Sequence, residues 1–143
     1  MIIEKMKLSN FKDLRALWGK AGLHLAEFER GQYELDQLMN LNPNSCLVAK
    51  EDGQIIGSVI GAFNGRRAWI YHMAIDPYWQ KKGYGSMLLN EIERALKKKG
   101  VTKILLGVLL TNLKVVPFWE KHGYNVMDDA IVMEKDLWES RKI

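Results

Sequence analysis

Between Cys46 and Ile75 the chain changes period, and that change limits the folds open to it. Before this stretch the apolar residues recur at helical spacing: Phe11, Leu14, Leu17 and Trp18 form one stripe, and Leu35, Leu38 and Met39 form a second. From Cys46 onward, extended segments alternate with turn pairs. Cys46 to Lys50 reads as a strand, Asp52-Gly53 as a turn, and Gln54 to Phe63 as a longer strand with Gly57 and Gly61 in its interior. Asn64-Gly65 is a strong short hairpin signal, because both residues tolerate positive φ. Arg66 to Ile75 then returns as the third strand of an antiparallel meander.

The flanks extend this sheet. Ile2 to Met6 reads as a first strand, and Ser9 is placed to cap the helix that follows. Gly19 and Gly22 bracket the end of that helix. An irregular link, GLHLAEFERG, holds His24, Glu27 and Glu29, and Asn42-Pro43 stops the second helix. A third helix, from Gly83 to Lys99, carries Leu88, Leu89, Ile92, Ala95 and Leu96 as its stripe, and Gly100 suits the position after its end. Lys103 to Leu110 is nearly all apolar, as in a strand covered on both faces. Strand, helix and strand in this order predict a right-handed crossover and a parallel pair. A short helix is expected within residues 112–122, since Pro117 is tolerated in a first turn. Gly123 ends it, Tyr124 to Met127 and Ala130 to Glu134 read as final strands, and LWESRKI reads as a tail. The expected fold class is a mixed α/β domain with one central sheet, spanning residues 1–143 as a single domain.

Composition narrows the function classes. The chain has 143 residues, 48% hydrophobic and 27% charged, enough for one core without disulfides or metals. Its single cysteine, Cys46, excludes an internal disulfide and leaves either a small core residue or a nucleophile. No apolar run approaches the roughly 18 residues of a membrane span. MIIEKMKLSN is too short and too polar for a signal peptide, so a cytoplasmic location is expected. The net charge of +4 owes much to Lys81-Lys82 and Lys97-Lys98-Lys99. The lysine triplet sits at a helix end, where cations suit the macrodipole, and does not make the broad basic face of a nucleic-acid binder.

One segment remains unexplained by folding alone. In WIYHMAIDPYWQKKGYGS an apolar strand hands over to a helix through a basic stretch and two glycines one residue apart. Helix N-termini present unpaired N–H groups with partial positive charge. Gly83 and Gly85 lack Cβ atoms, so an anion can approach those groups closely, with Lys81 and Lys82 alongside. The spacing fits neither the P-loop nor the dinucleotide fingerprint. Taken alone, the two glycines are equally compatible with a tight turn and with a phosphate cradle.

The flanks of the segment favour the cradle. MAIDPYWQKKGYGSMLL resembles the acetyl-CoA-binding motif of the GNAT N-acetyltransferase superfamily: an apolar strand end (Met73-Ala74-Ile75), a polar residue and proline (Asp76-Pro77), then Gln80-x-x-Gly83-x-Gly85. Asn112 and FWEKHGY are similar to a later motif of the same family. The run GRRAWIYHMAIDP is similar to its small stand-alone bacterial YpeA-like group. The resemblance implies a twisted, mostly antiparallel sheet flanked by about four helices and splayed in the middle. It implies acetyl-CoA as cosubstrate, with no metal.

It also implies a division of labour. Backbone groups of Met73, Ala74 and Ile75 would pair with the pantetheine arm. The N–H groups of Gln80, Lys81, Lys82, Gly83, Tyr84 and Gly85, with Ser86 nearby, would hold the pyrophosphate. Asn112, Phe118 and Trp119 would line the arm and sulfur.

The implied reaction is attack of a primary amine on the thioester through a tetrahedral intermediate. A free lysine amine has a pKa of about 10.4 and an α-amine about 8, so a proton must be removed. A strand N–H near Met73 or Ala74 could stabilise the oxyanion. Two family features are missing. The tyrosine that usually protonates the thiolate aligns with Trp119, whose indole is a donor but not a useful acid. The carboxylate that some members carry on the central strand aligns near Trp69. Tyr71 and His72 are the nearest titratable candidates, each also readable as a packed aromatic. Strand alternation predicts opposite faces for them, so that at most one meets the substrate. Glu27, Glu29 and Glu34 lie in the region that shapes the acceptor site in the family, where they would attract a cationic amine or simply be solvated. The readings that result are an N-acetyltransferase acting on a small-molecule or protein amine, as monomer or homodimer, and alternatively a CoA-binding sensor with little catalysis. Neither nucleic acid nor membrane is expected as a partner.

Overall fold

The computed structural model describes residues 1–139. The chain divides into two compact units, Met1–Gly107 and a smaller one from Val108 onward.

The larger unit is built on a five-stranded sheet of order β1-β2-β3-β4-β5. β1 (Ile2–Lys5), β2 (Cys46–Glu51), β3 (Gln54–Phe63) and β4 (Ala68–Ile75) pair antiparallel in sequence order. β5 (Ile104–Leu106) joins β4 in parallel. The turn chemistry explains the meander. Asp52 (φ 48°) and Gly53 (φ 77°) are the two central residues between β2 and β3, both left-handed as a tight hairpin requires. At the next turn Asn64 Oδ1 accepts from the N–H groups of Arg66 and Arg67, each at 2.9 Å. That loop takes Asn64 to Arg67 out of the ladder, so β4 starts at Ala68 and not at Arg66.

One face of the sheet carries α1 (Phe11–Lys20) and α2 (Phe28–Leu41). Phe11, Leu14, Leu17, Trp18 and Leu35 pack there with Val48, Ile60 and Ala74. Ser9 does not cap α1: it lies in a 3-10 turn, and Asn10 stands at the helix start with its Oδ1 accepting from Lys7 N–H at 2.7 Å. α2 begins earlier than the sequence pattern indicated and takes up Phe28 to Gly31 of the link.

The opposite face carries α3 (Tyr84–Lys98). Leu88, Leu89, Ile92 and Leu96 are completely buried. Each such side chain contributes about 1.5–3 kcal/mol by leaving water. Gly61 makes this fit possible, because a Cβ there would lie 3.0 Å from Leu96 Cδ1 and 3.1 Å from Ile92 Cδ1. Gly100 (φ 92°) closes α3, with Val101 N–H returning to Leu96 O at 3.2 Å.

Two features of β4 set up the site. Its pairing with β3 steps from Ser58↔Ala74 to Ile60↔Tyr71, so β4 carries one extra residue opposite Val59. His72 takes the strain, with φ 48°. Its pairing with β5 covers only Ala68, Trp69 and Ile70. β5 is therefore much shorter than the expected Lys103 to Leu110, and its residues are half-buried and not covered on both faces. Parallel pairing stops where β4 bulges, and from Tyr71 to Ile75 the β5-side edge of β4 has no ladder partner among the described residues. The ladder thus ends in the middle of the sheet, where the resemblance implies a splay.

In the smaller unit a 3-10 segment (Leu110–Val115) leads into α4 (Val116–Lys121), with Pro117 in its first turn. Gly123 (φ 89°) ends it, and Tyr124 N–H returns to Trp119 O at 3.0 Å. The expected strands Tyr124 to Met127 and Ala130 to Glu134 do not form. Their apolar residues Val126, Met127, Ile131, Val132 and Met133 are exposed. An apolar run becomes a strand only when a neighbour takes its N–H and C=O groups, and no described segment does so here. The end of the expected tail, residues 140–143, lies outside the described residues.

Candidate functional site

β4 runs directly into the glycine segment, and local hydrogen bonds define its path. Asp76 N–H donates to Ile56 O at 2.7 Å, the last tie to β3. Asp76 Oδ1 then accepts from Tyr78 N–H at 3.0 Å and starts a short 3-10 turn at Pro77. Gln80 Nε2 reaches back to Ile75 O at 2.9 Å, so its side chain supports the strand end. Trp79 stacks on Tyr84 with centroids 6.1 Å apart, Lys82 Nζ lies 5.9 Å from the Trp79 ring centre, and Tyr84 donates its hydroxyl to Glu51 Oε1 at 3.2 Å.

These contacts hold the loop while its backbone stays open. Lys81 (φ 63°) and Gly83 (φ 82°) are both left-handed. Gly83 stands at the N-cap of α3 with no side-chain cap. Nothing lies within 4 Å of where a Gly83 Cβ would be. Gly83, Lys81 and Lys82 are exposed, and Gly85 and Ser86 are half-buried in the first turn. An uncapped fifteen-residue helix with this open approach and two lysines beside it fits a pyrophosphate. Met73 is half-buried, and Ala74 and Ile75 are buried against β3. Their other backbone edge has no strand partner; Ile75 O already accepts from Gln80 Nε2, and the rest of the edge fits an extended amide-bearing arm.

Upstream on β4 lies a cavity of about 410 Å³. α1 supplies Phe11, Arg15 and Trp18; α2 supplies Tyr33, Glu34, Gln37 and Leu38; Tyr71 and His72 form its β4 wall. Here the structure corrects the alternation argument. The extra residue in β4 turns Tyr71 and His72 into the same cavity, where a regular strand would send them to opposite faces.

The bulge is held from within. Ser58 Oγ donates to His72 O at 2.7 Å and accepts from Trp18 Nε1 at 2.8 Å. The Trp18 and His72 rings lie 4.3 Å apart, tilted by 35°. His72 Nδ1 is buried without a hydrogen-bond partner among the described residues. Burial pushes the His72 pKa down from its ordinary value, and the charge of Glu34 partly offsets this. Burial pushes the Tyr71 phenol up. At neutral pH the cavity therefore presents a neutral imidazole and an un-ionised phenol.

Of the three acidic candidates, only Glu34 lines the cavity. Glu27 and Glu29 do not. Cys46 is buried, and burial raises its thiol to about 11, so it is a core residue and not a nucleophile. Among the described residues no acidic, histidine and cysteine cluster could hold a metal. In the smaller unit, Asn112 (φ −131°) breaks the 3-10 geometry, and Phe118 and Trp119 meet edge to face at 5.3 Å. Sequence reasoning missed Arg15, Tyr33 and Gln37. Arg15 had a legible signal, since it falls on the Phe11–Trp18 stripe where an apolar residue is expected.

Residues 11–124 match the family model of the acetyltransferase (GNAT) family. An acetyltransferase of Pectobacterium atrosepticum is 30% identical over 142 residues, covering 99% of each chain. Among solved structures, the aminoglycoside 6'-N-acetyltransferase AAC(6')-Ig of Acinetobacter haemolyticus superposes with a TM-score of 0.77 at 18% identity, covering 96% of this chain and 99% of that one. A predicted acetyltransferase of Clostridium acetobutylicum, solved with acetyl-CoA, gives 0.73 at 17% identity, covering 93% and 95%. With a β4–β5 ladder that stops at Ile70 and a glycine-opened helix start after β4, this chain belongs to the GNAT acetyltransferase family.

Proposed function

We propose that this protein transfers the acetyl group of acetyl-CoA to the nitrogen of a primary amine by direct attack. The observation that carries the reading is β4 itself. One strand joins a cavity wall (Tyr71, His72), a backbone edge without a strand partner (Met73 to Ile75) and an uncapped helix entrance (Gln80 to Gly85, with Ser86). Acetyl-CoA, when bound, supplies an activated acyl carbon. The structural neighbour solved with acetyl-CoA supports it as donor. Asn112, Phe118 and Trp119 are assigned to the cofactor arm by the family resemblance alone, and both units are taken as one catalytic domain.

In this reading the chain's own groups divide the work. Helix N–H groups and the lysine pair hold the pyrophosphate. The β4 edge orients the arm, and a bulge N–H at Met73 or Ala74 faces the oxyanion. His72 accepts the proton of the attacking amine, directly or through water. Its neutral form and the unpartnered Nδ1 suit that role. Tyr71, un-ionised beside it, has a proton to give where Trp119 has none of use. The test is thiol release from acetyl-CoA across a panel of amines and peptides. Amine-dependent release with an N-acetylated product supports the reading. Tight acetyl-CoA binding without release at any pH would instead favour a CoA-binding sensor.

A further inference from the structure

The cavity is charged at two places, and only one of those charges is satisfied. Glu34 is paired with Arg30, Nε to Oε2 at 3.3 Å. Arg15 has no carboxylate partner among the described residues. Its Nη1 donates to Ala26 O at 2.8 Å, and its guanidinium lies 5.9 Å from the Phe11 ring centre and 5.4 Å from that of Phe28. A guanidinium has five N–H donors in a planar fork, and the half-buried Arg15 keeps several of them available to an acceptor in the cavity. Arg15 also sits close to α2: a Cβ on Gly31 would be 3.8 Å from its Nη1. Glu34 follows Gly31 by three residues, a rise of about 4.5 Å, and its charge acts on His72. Arg15, Glu34 and His72 thus line one cavity, with aromatic and aliphatic side chains around them.

Resting on the acetyl-transfer reading, we propose that the acceptor is a free α-amino acid with an apolar or aromatic side chain. Arg15 holds its carboxylate as a bidentate partner. The amine is turned towards Glu34 and His72, and the side chain lies against Phe11, Trp18 and Leu25. The cavity volume of about 410 Å³ suits one such molecule. An extended peptide N-terminus offers an amine but no α-carboxylate.

The experiment is calorimetry on the full chain saturated with CoA, which has no acetyl group to give. Its ligands are L-phenylalanine, phenethylamine and an amidated dipeptide beginning with phenylalanine. A charged hydrogen-bonded pair predicts that phenylalanine binds about tenfold or more tightly than phenethylamine. Arg15→Gln removes most of that ratio, and Arg15→Lys keeps part of it. Comparing two ligands on one variant cancels any loss from the Ala26 hydrogen bond, and the wild-type ratio decides alone if the variants do not fold. Equal binding, tighter binding of the amine or the dipeptide, no binding of phenylalanine at millimolar concentration, or a ratio that survives in folded Arg15→Gln would overturn the proposal. Thiol release with acetyl-CoA on the same three compounds separates the two ideas. Turnover without carboxylate preference removes only this one. Binding of CoA and phenylalanine with no release from any amine removes the acetyl-transfer reading.

Discussion

The His72 ring lies 4.3 Å from the Trp18 ring, and the hydroxyl of Ser58 ties both residues together. A bulged strand residue, a helix tryptophan and a buried serine thus form one unit between α1 and the sheet. His72 takes a left-handed φ of 48° there, unfavourable for a residue with a Cβ. The Ser58 bond to its carbonyl offsets part of that strain.

Removing the hydroxyl should loosen this unit. Ser58→Ala leaves the Trp18 indole N–H and the His72 carbonyl without a partner. The expected cost is about 1–3 kcal/mol of stability, read as a lower urea midpoint at unchanged slope. A lower kcat should accompany it, because His72 loses its fixed pose. An unchanged midpoint would show that the bulge does not depend on Ser58.

His72 should also make stability and rate depend on pH. Its pKa is lowered in the folded state, so below about 6.5 the unfolded chain binds a proton that the folded chain refuses. Its contribution to stability is complete above that value and is lost as pH falls through the folded pKa. Melting temperature should drop on acidification, and less so in His72→Gln. The acidic limb of kcat should lie below the ordinary histidine value and vanish in the same variant. A limb that stays in place would assign the proton to another group.

The helix entrance predicts a pair of substitutions with opposite outcomes. Gly83→Asn keeps a residue that tolerates the left-handed region and should fold and bind acetyl-CoA with modest loss. Gly83→Glu puts bulk and negative charge into the open approach and should abolish binding in a folded protein. Calorimetry reads both. Unchanged affinity in Gly83→Glu would move the pyrophosphate elsewhere.

Gly61 tests the packing that carries α3. A Cβ there meets Leu96 and Ile92 at 3.0–3.1 Å. Gly61→Val should therefore destabilise by about 1–3 kcal/mol through overpacking, seen as a lower melting temperature. An unaffected melting temperature would mean that α3 can shift without cost.

Much of the fold was legible because local chemistry and tertiary context agree. Asp52-Gly53 and Asn64-Gly65 specify their turns, and Leu88, Leu89, Ile92 and Leu96 specify the buried face of α3. The turn at Gly83, assigned to the cofactor in the proposed reading, was legible for the same reason, since its φ is positive. The β4 wall of the cavity was not. His72 carries no mark of its left-handed backbone, and one extra residue in β4 reverses which face every later side chain takes. Strand length failed similarly. The run from Lys103 to Leu110 and the two segments after Tyr124 are apolar enough for strands, but pairing depends on a neighbour that sequence pattern does not show.

The central claim is that acetyl transfer occurs along β4, from a donor held at Gly83 to an amine beside His72. Mass spectrometry of an amine panel incubated with acetyl-CoA tests it most directly, with wild type, His72→Gln and Gly83→Glu compared. The account predicts an N-acetylated product with wild type, a rate lowered at least about tenfold with His72→Gln and none with Gly83→Glu. Equal product from all three folded proteins, or none from wild type while acetyl-CoA is bound, would contradict it.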